Sequence, residues 1–504
     1  MKIRSYIIIF FRAIGLAICL ATYPQQAAAM DYPKREIRAV WMTTIYGMDW
    51  PNKPASNDSE RKAQQKELCD KLDMLRSANF NVVFLQVRLR GDVIYPSSIE
   101  PMSKVFSGRH GGNPGYDPLS FAIEECHKRG LECHAWLITY PIGTMTDVKN
   151  KGKNSVVARR PELCKLFNKE WYLNPGMPAT SDYILSLVRE VVGGYDVDGI
   201  HFDHIRYPDN PEGFPDGEAY LKYGKTKSLR AWRQDNINRL VERIYDWVKR
   251  YKPWVQVSTS PLGKYSPLAN MPNAGLTSFD VYQDPKEWLR KGKQDMIVPM
   301  MYYKDDYFYP FVDDWMANRN GRYFVPGLGI YKLIPGDADW TLKDIVSQLD
   351  YIRSSKASGV TFYRGMQLFR DTKGVYTVLK DKYFKYPALL PPLTWLGKER
   401  PSAPVDVNVE REGTRLRISW KMPQDTGEDL ESMRYTIYYS RSNSVITTQA
   451  QNILATALYD PEIYLSIDTE KELELSFRVS ASNRYHIEGR PSREVYYYFS
   501  EYEK

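Results

Sequence analysis

The chain has few of the residues that bind metals. Six histidines and five cysteines are spread over 504 positions, and their spacings match no zinc module. Beyond Cys19, the cysteines are Cys69, Cys126, Cys133 and Cys164. An even number permits disulfides in an exported protein, but a chain this long can bury its own core without them, so they read as structural thiols. No block of lysine and arginine resembles a basic arm, and a net charge of +8 is mild for the length, so nucleic acid is not an expected partner. After the N-terminus no segment carries about 18 unbroken apolar residues, so no integral membrane segment is expected. Long disordered tracts are also excluded, because 43% hydrophobic and 26% charged residues are globular values.

The first thirty residues stand apart. Lys2 and Arg4 form a basic start, Ile7 to Leu20 an apolar run broken only by Arg12, and Ala27-Ala28-Ala29 a small-residue cleavage site before Met30. This is a secretory signal over 1–29, and export to the periplasm or cell surface is expected. Lipid attachment at Cys19 is the second choice, because bulky Ile18 stands where a small residue is usual. Losing three positive charges with the signal leaves about +5 from the total of +8.

Eight strand-like runs follow. They begin at Ile37, Asn81, Leu131, Gly199, Val255, Asp295, Arg322 and Gly359. Helical patterns such as Ile237, Leu240, Val241, Ile244, Trp247, Val248 lie between most of them. The alternation predicts an α/β fold, a (β/α)8 TIM barrel over 30–385. The interval between the sixth and seventh strands leaves room only for a compact helix. In the second strand Val83, Leu85, Val87 and Leu89 would face helices, leaving Phe84, Gln86, Arg88 and Arg90 inside. In the fourth, Ile200 and Phe202 face helices while His201 and Asp203 face inward, and His204 should point away again. Loops rich in Gly and Pro at 92–118, 141–180 and 208–224 would gather at one rim. A Pro-rich linker, 386–404, cannot be crossed by a helix. Beyond it, 405–504 reads as a small all-β immunoglobulin-like sandwich, with strands at LRISW, RYTIYYS and LSFRVSASN.

The pieces REIRAVWMTT, NFNVVFLQVR, VDGIHFDHIRYP, VSTSPLG, YQDPKEWLRKGKQDMIVPMMYY and GLGIYK occur in order across residues 35–370. Together they resemble glycosyl-hydrolase-like family 10, bacterial exported barrel proteins. The resemblance implies glycoside hydrolysis, in some members of peptidoglycan glycan strands; no cofactor is expected. Many relatives have a second acidic residue directly after the first in the fourth-strand motif, where this chain has His204. The C-terminal segment looks like a fibronectin type III domain, on PSAPVDV, Trp420, RYTIYYS and VSASN, although Leu475 stands where a corner tyrosine is usual. That domain would space the barrel or contact glycan or a protein partner.

Glycoside hydrolysis ordinarily uses two carboxyl groups flanking the scissile bond. Asp203, inward-facing at a strand end, is the first candidate, with Arg206 as the charge that keeps it ionised. Asp305 is the first choice for the acid. Asp284 is the second, although it could simply cap a helix. Asp92 is a weaker option and Asp306 neighbours Asp305. Arg88, Arg90, His134 and Arg364 would hold substrate, or form an ion-pair network inside the barrel with Gln86. Trp41, Trp136, Tyr207, Tyr302, Tyr303, Tyr331 and Tyr363 would be sugar platforms or upper-layer core. His201 and Asp203 share a strand face, a spacing that a metal-dependent esterase or deacetylase could use. A non-catalytic glycan-binding protein is the other open reading.

Overall fold

A computed structural model describes residues 31–499, except 337, 339, 424–428, 442–443 and 467–472. The signal segment and Cys19 lie outside the described residues. The strands, in chain order, begin with β1 (Ile37–Met42), β2 (Val82–Arg88) and β3 (Glu132–Ile138). Next come β4 (Pro141–Thr144), β5 (Cys164–Phe167), β6 (Glu170–Leu173), β7 (Gly199–Asp203) and β8 (Gln256–Ser260). After them are β9 (Met296–Ile297), β10 (Tyr323–Phe324), β11 (Gly327–Leu328) and β12 (Gly359–Phe362).

Nine of these form one parallel sheet in the order β10-β9-β8-β7-β3-β2-β1-β12-β11. The expected seventh strand appears here as two pieces, β10 and β11. Pro326 separates them and has no N–H for a ladder. β10 pairs with β9 and β11 with β12, so one chain run borders both ends of the sheet. Val325 N donates to Ile297 O at 3.0 Å and Thr361 N to Pro326 O at 3.1 Å, which joins those ends into a TIM-like arrangement.

Alternation sorts the side chains. Trp41, Phe84, Trp136, Ile138, Met296 and Val325 form the apolar interior. Two glycines make room for it. A Cβ at Gly327 would stand 2.5 Å from the Trp41 ring, and one at Gly199 2.3 Å from His134 Nδ1. Outside, the helix Leu229–Tyr251 buries Ile237, Leu240, Val241, Ile244 and Val248 in three- and four-residue steps, each worth roughly 1.5–3 kcal/mol when fully buried. Ser228 starts this helix by accepting from Ala231 N at 3.3 Å. The compact helix before β10 is Tyr309–Asn318, ten residues long.

The loop after β3 folds into a second, small sheet, β4-β6-β5. Its β5–β6 turn is Asn168-Lys169, with φ of 49° and 66°, the left-handed pair that a two-residue hairpin requires.

Residues 386–404 contain no helix, and they lie packed against the barrel base. Leu393 is buried in the barrel cluster, and Trp395 Nε1 donates to Asp295 at 2.8 Å. Beyond them run β13 (Val405–Glu412), β14 (Arg415–Lys421), β15 (Arg434–Ser440), β16 (Ile453–Leu458), β17 (Glu462–Ser466), β18 (Leu473–Ser482) and β19 (Val495–Phe499). They make two antiparallel sheets, β13-β14-β17 and β16-β15-β18-β19. Leu416, Ile418 and Trp420 of one sheet share an apolar cluster with Ile437, Phe477 and Val479 of the other. This all-β part meets the amino ends of the barrel strands through His486–Glu132 at 2.6 Å, Arg484–Asp196 at 3.0 Å and Glu488–Lys34 at 2.8 Å. Among the described residues no helix is long and apolar enough to cross a membrane.

Candidate active site

At the opposite end, above the carboxyl ends of the strands, a cleft opens. Its floor is Trp41 of β1, Gln86 of β2, Trp136 and Ile138 of β3, and Asp203 of β7. Ser260, Met300, Tyr302 and Tyr363 close one side. The small inserted sheet supplies the other, with Pro141, Glu170 and Tyr172. Tyr46, 63% exposed, stands at the mouth.

Asp203 ends its strand 6% exposed. Its Oδ1 accepts from the backbone N of His204 at 2.7 Å. The chain then turns sharply, with His204 at φ 48°. Strand alternation would send that side chain toward the helices. The left-handed turn instead returns it to the cleft beside Asp203, with Nε2 4.0 Å from Asp203 Oδ2. Arg206, expected to pair with Asp203, makes its ion pair with Asp209.

Below the floor, His201 is sealed. Its Nε2 accepts from Trp41 Nε1 at 3.1 Å, and its Nδ1 meets Ser258 Oγ at 2.9 Å. With both nitrogens engaged and burial holding its pKa well below the ordinary value, it is a neutral core imidazole. Trp136 Nε1 is different, a buried donor at the cleft with no hydrogen-bond partner among the described residues. Tyr302 and Tyr363 stack at 5.6 Å and 26°, and Tyr331 packs edge-on against both. Burial raises the Tyr363 phenol to about 12, with the charge of Asp203 adding to it. Tyr302, likewise raised by burial, and Tyr363 are therefore neutral donors with apolar faces at any working pH, suited to sugar C–H faces and hydroxyls.

The facing wall holds groups that sequence reasoning missed. Glu170 accepts from Arg90 at 3.1 Å and from the Tyr172 hydroxyl at 3.0 Å. Its signal was the Asn-Lys turn between two short alternating runs in a loop already assigned to the rim. Asp49 is also near, but Thr43 and the Met366 N–H take its oxygens, at 2.7 to 2.8 Å, and it ties two rim loops together.

The other candidate residues stand outside the cleft lining. Arg88 is 1% exposed and forms a two-point ion pair with Glu100 at 2.6 and 2.8 Å. His134 is fully buried and bonds Glu132 at 3.0 Å, toward the base. Tyr207 is core, edge-on to Phe214 and Tyr282. Asp284 caps the helix Pro285–Arg290 and also accepts from Gln234 at 2.5 Å and Tyr265 at 2.9 Å. Asp305 and Asp306 are exposed in a short turn. Tyr303 lies under Lys264, whose Nζ is 4.1 Å from the ring centre. Arg364 is half-buried beside Asp49, and Asp92 pairs with His110 at 3.6 Å.

A parallel TIM-like sheet carrying a carboxylate in an aromatic cleft at its carboxyl end is the architecture of glycoside-hydrolase-like proteins. Residues 36–319 match the glycosyl hydrolase-like 10 family, and the chain belongs to it. Glycosyl hydrolase YngK of Bacillus subtilis (strain 168) is 29% identical over 516 residues, which is 97% of this chain and 98% of that protein. Glycosyl hydrolase DigH of Escherichia coli (strain K12) is 30% identical over 389 residues, 69% of this chain and 88% of that one. Among solved structures, the PgaB (BpsB) glycoside hydrolase domain from Bordetella bronchiseptica aligns with a TM-score of 0.49 at 14% identity, over 68% of this chain and 98% of that domain.

Proposed function

We propose that the protein is an exported glycoside hydrolase that cleaves a bacterial cell-wall, peptidoglycan-like or other amino-sugar glycan, with Asp203 as the reacting carboxylate. The observation that carries this reading is the position of Asp203 on the floor of a cleft with stacked aromatics on one side and Glu170, Arg90 and Tyr172 on the other. The aromatic faces suit pyranose rings, and the polar wall suits hydroxyl, N-acetyl and carboxylate groups. Membership of a glycosyl hydrolase-like family supports the reaction class. The basic and apolar N-terminus supports export. The paired sheets of three and four strands support a fibronectin type III-like domain, which we assign to positioning the barrel.

A non-catalytic glycan receptor is the second reading, favoured by His204 standing where many members of the resembled family carry a second acid. Asp203→Asn separates the two. In the hydrolase it abolishes release of reducing ends while glycan binding persists. A wild-type protein that releases none from any of a panel of glycans, peptide-free peptidoglycan included, refutes the hydrolase. The esterase reading needs His201 as a ligand, and both its nitrogens are taken.

A further inference from the structure

We propose that His204 is the general acid and base of this cleft, giving the proton that frees the leaving sugar and regaining it from the attacking water. This rests on the glycosidase reading, with Asp203 as nucleophile. Of the six histidines, His110, His127, His134 and His486 each lie within 3.6 Å of a carboxylate, and His201 is sealed between Trp41 and Ser258. His204 alone has a half-exposed ring, 43% open, that lines the cleft. Among the described residues its ring nitrogens have no hydrogen-bond partner. At 4.0 Å from Asp203 Oδ2, the ring is too far for a hydrogen bond but close enough for the two charges to influence each other. The backbone thus brings an imidazole to the nucleophile and leaves its nitrogens free for substrate.

In the first step an Asp203 oxygen bonds to the anomeric carbon as the bond from that carbon to the leaving oxygen breaks. The imidazolium proton passes to that oxygen. In the second, water oxygen bonds to the anomeric carbon, the ester to Asp203 breaks, and the water proton returns to the imidazole. One water is consumed and both side chains are restored. The neighbouring charges suit the cycle. Desolvation by the cleft walls lowers the pKa of the ring, Asp203 and Asp209 raise it, and Arg206 and Arg90 lower it, while Glu170 across the cleft is held by Arg90 and Tyr172. Once Asp203 is esterified its charge is gone, so the ring loses the neighbour that raises its pKa just when it must serve as a base.

The test is kcat/KM for the whole chain on peptide-free peptidoglycan strands, between about pH 4 and 8, for the wild type, His204→Asn and His204→Asp. Asn and Asp both tolerate the left-handed backbone at 204, so the fold is kept. Wild-type activity should fall as pH rises through a value below the ordinary 6.5. His204→Asn should lose that alkaline limb and about 10²–10⁴-fold in rate. His204→Asp should recover part of the rate, with the limb moved to lower pH. An Asn variant that keeps the wild-type limb, or an Asp variant no better than Asn, overturns the role of His204 and leaves the reading of Asp203 intact. A wild type that releases no reducing ends overturns both.

Discussion

Arg88 distinguishes a residue that holds the barrel together from one that holds the substrate. Its guanidinium meets Glu100 at two points, with side chains 1% and 0% exposed, and also donates to the carbonyls of Ile138 and Thr139. Glu100 has one further side-chain donor, the Tyr183 hydroxyl at 2.9 Å. Arg88→Met would leave a buried carboxylate with that single side-chain donor. Breaking a buried pair from one side costs about 3–5 kcal/mol. Glu100→Gln should cost a similar amount by stranding the guanidinium. The double variant should cost clearly less than the sum, since no uncompensated charge then remains. Urea unfolding of the four proteins measures this cycle, and KM of the folded fraction should not change. An Arg88→Met protein with wild-type stability and a raised KM would refute the structural assignment and return Arg88 to the substrate.

Glu170→Gln removes the charge facing Arg90 and leaves one acceptor oxygen where Arg90 and Tyr172 now use two. It should raise KM by about 10–100-fold, the scale of a hydrogen bond to a charged group, with little change in kcat; a loss confined to kcat would show that Glu170 acts on the reacting bond itself. At the base, His486 is half-buried, but the Glu132 carboxylate outweighs its desolvation and raises its pKa above 6.5 in the folded chain. Its stabilisation is therefore full below about 6.5 and lost as pH rises through the folded value. Glu132 is shifted below its ordinary 4.5, burial being outweighed by the imidazoles of His486 and His134. Its share is present above that value and lost as pH falls through the folded one. Melting temperature should thus peak in mild acid, and His486→Asn should flatten the alkaline side. A wild-type profile that is level from about pH 5 to 8 would exclude the pair as a contributor.

The barrel strands and the inward set were legible because burial imposes a period of two. That period brought His201 and Asp203 inside and Ile200 and Phe202 outside, as β7 shows. It failed one residue later. At His204 the strand has ended, and a left-handed turn, not the pleat, decides where the ring points. The place of Asp203 in the cleft was legible because it sits on a regular strand. Glu170 was not, because its place depends on a hairpin that the Gly- and Pro-rich loop composition concealed. Charge pairing was the least legible property. Arg206 is three residues from Asp203 in the chain, yet its ion pair is with Asp209, because the turn at 204 carries it away from the strand end.

The all-β part engages the wrong end of the barrel to touch substrate in the cleft. Glu132, Asp196 and Lys34, its partners, lie at or before the amino ends of β1, β3 and β7. Asp203, His204 and Glu170 lie at the opposite rim. In this architecture the amino-end face governs stability and the carboxyl-end face chemistry. The segment 386–404 reinforces the division. It places Leu393 against the apolar interior and Trp395 on Asp295, closing the base that an open barrel would expose to water. Removing the chain from residue 386 onward would therefore take Leu393 out of the apolar cluster it shares with Ile37, Val82 and Tyr323. Any loss of activity in such a truncation would act through the stability of the barrel rather than through lost contacts with the glycan.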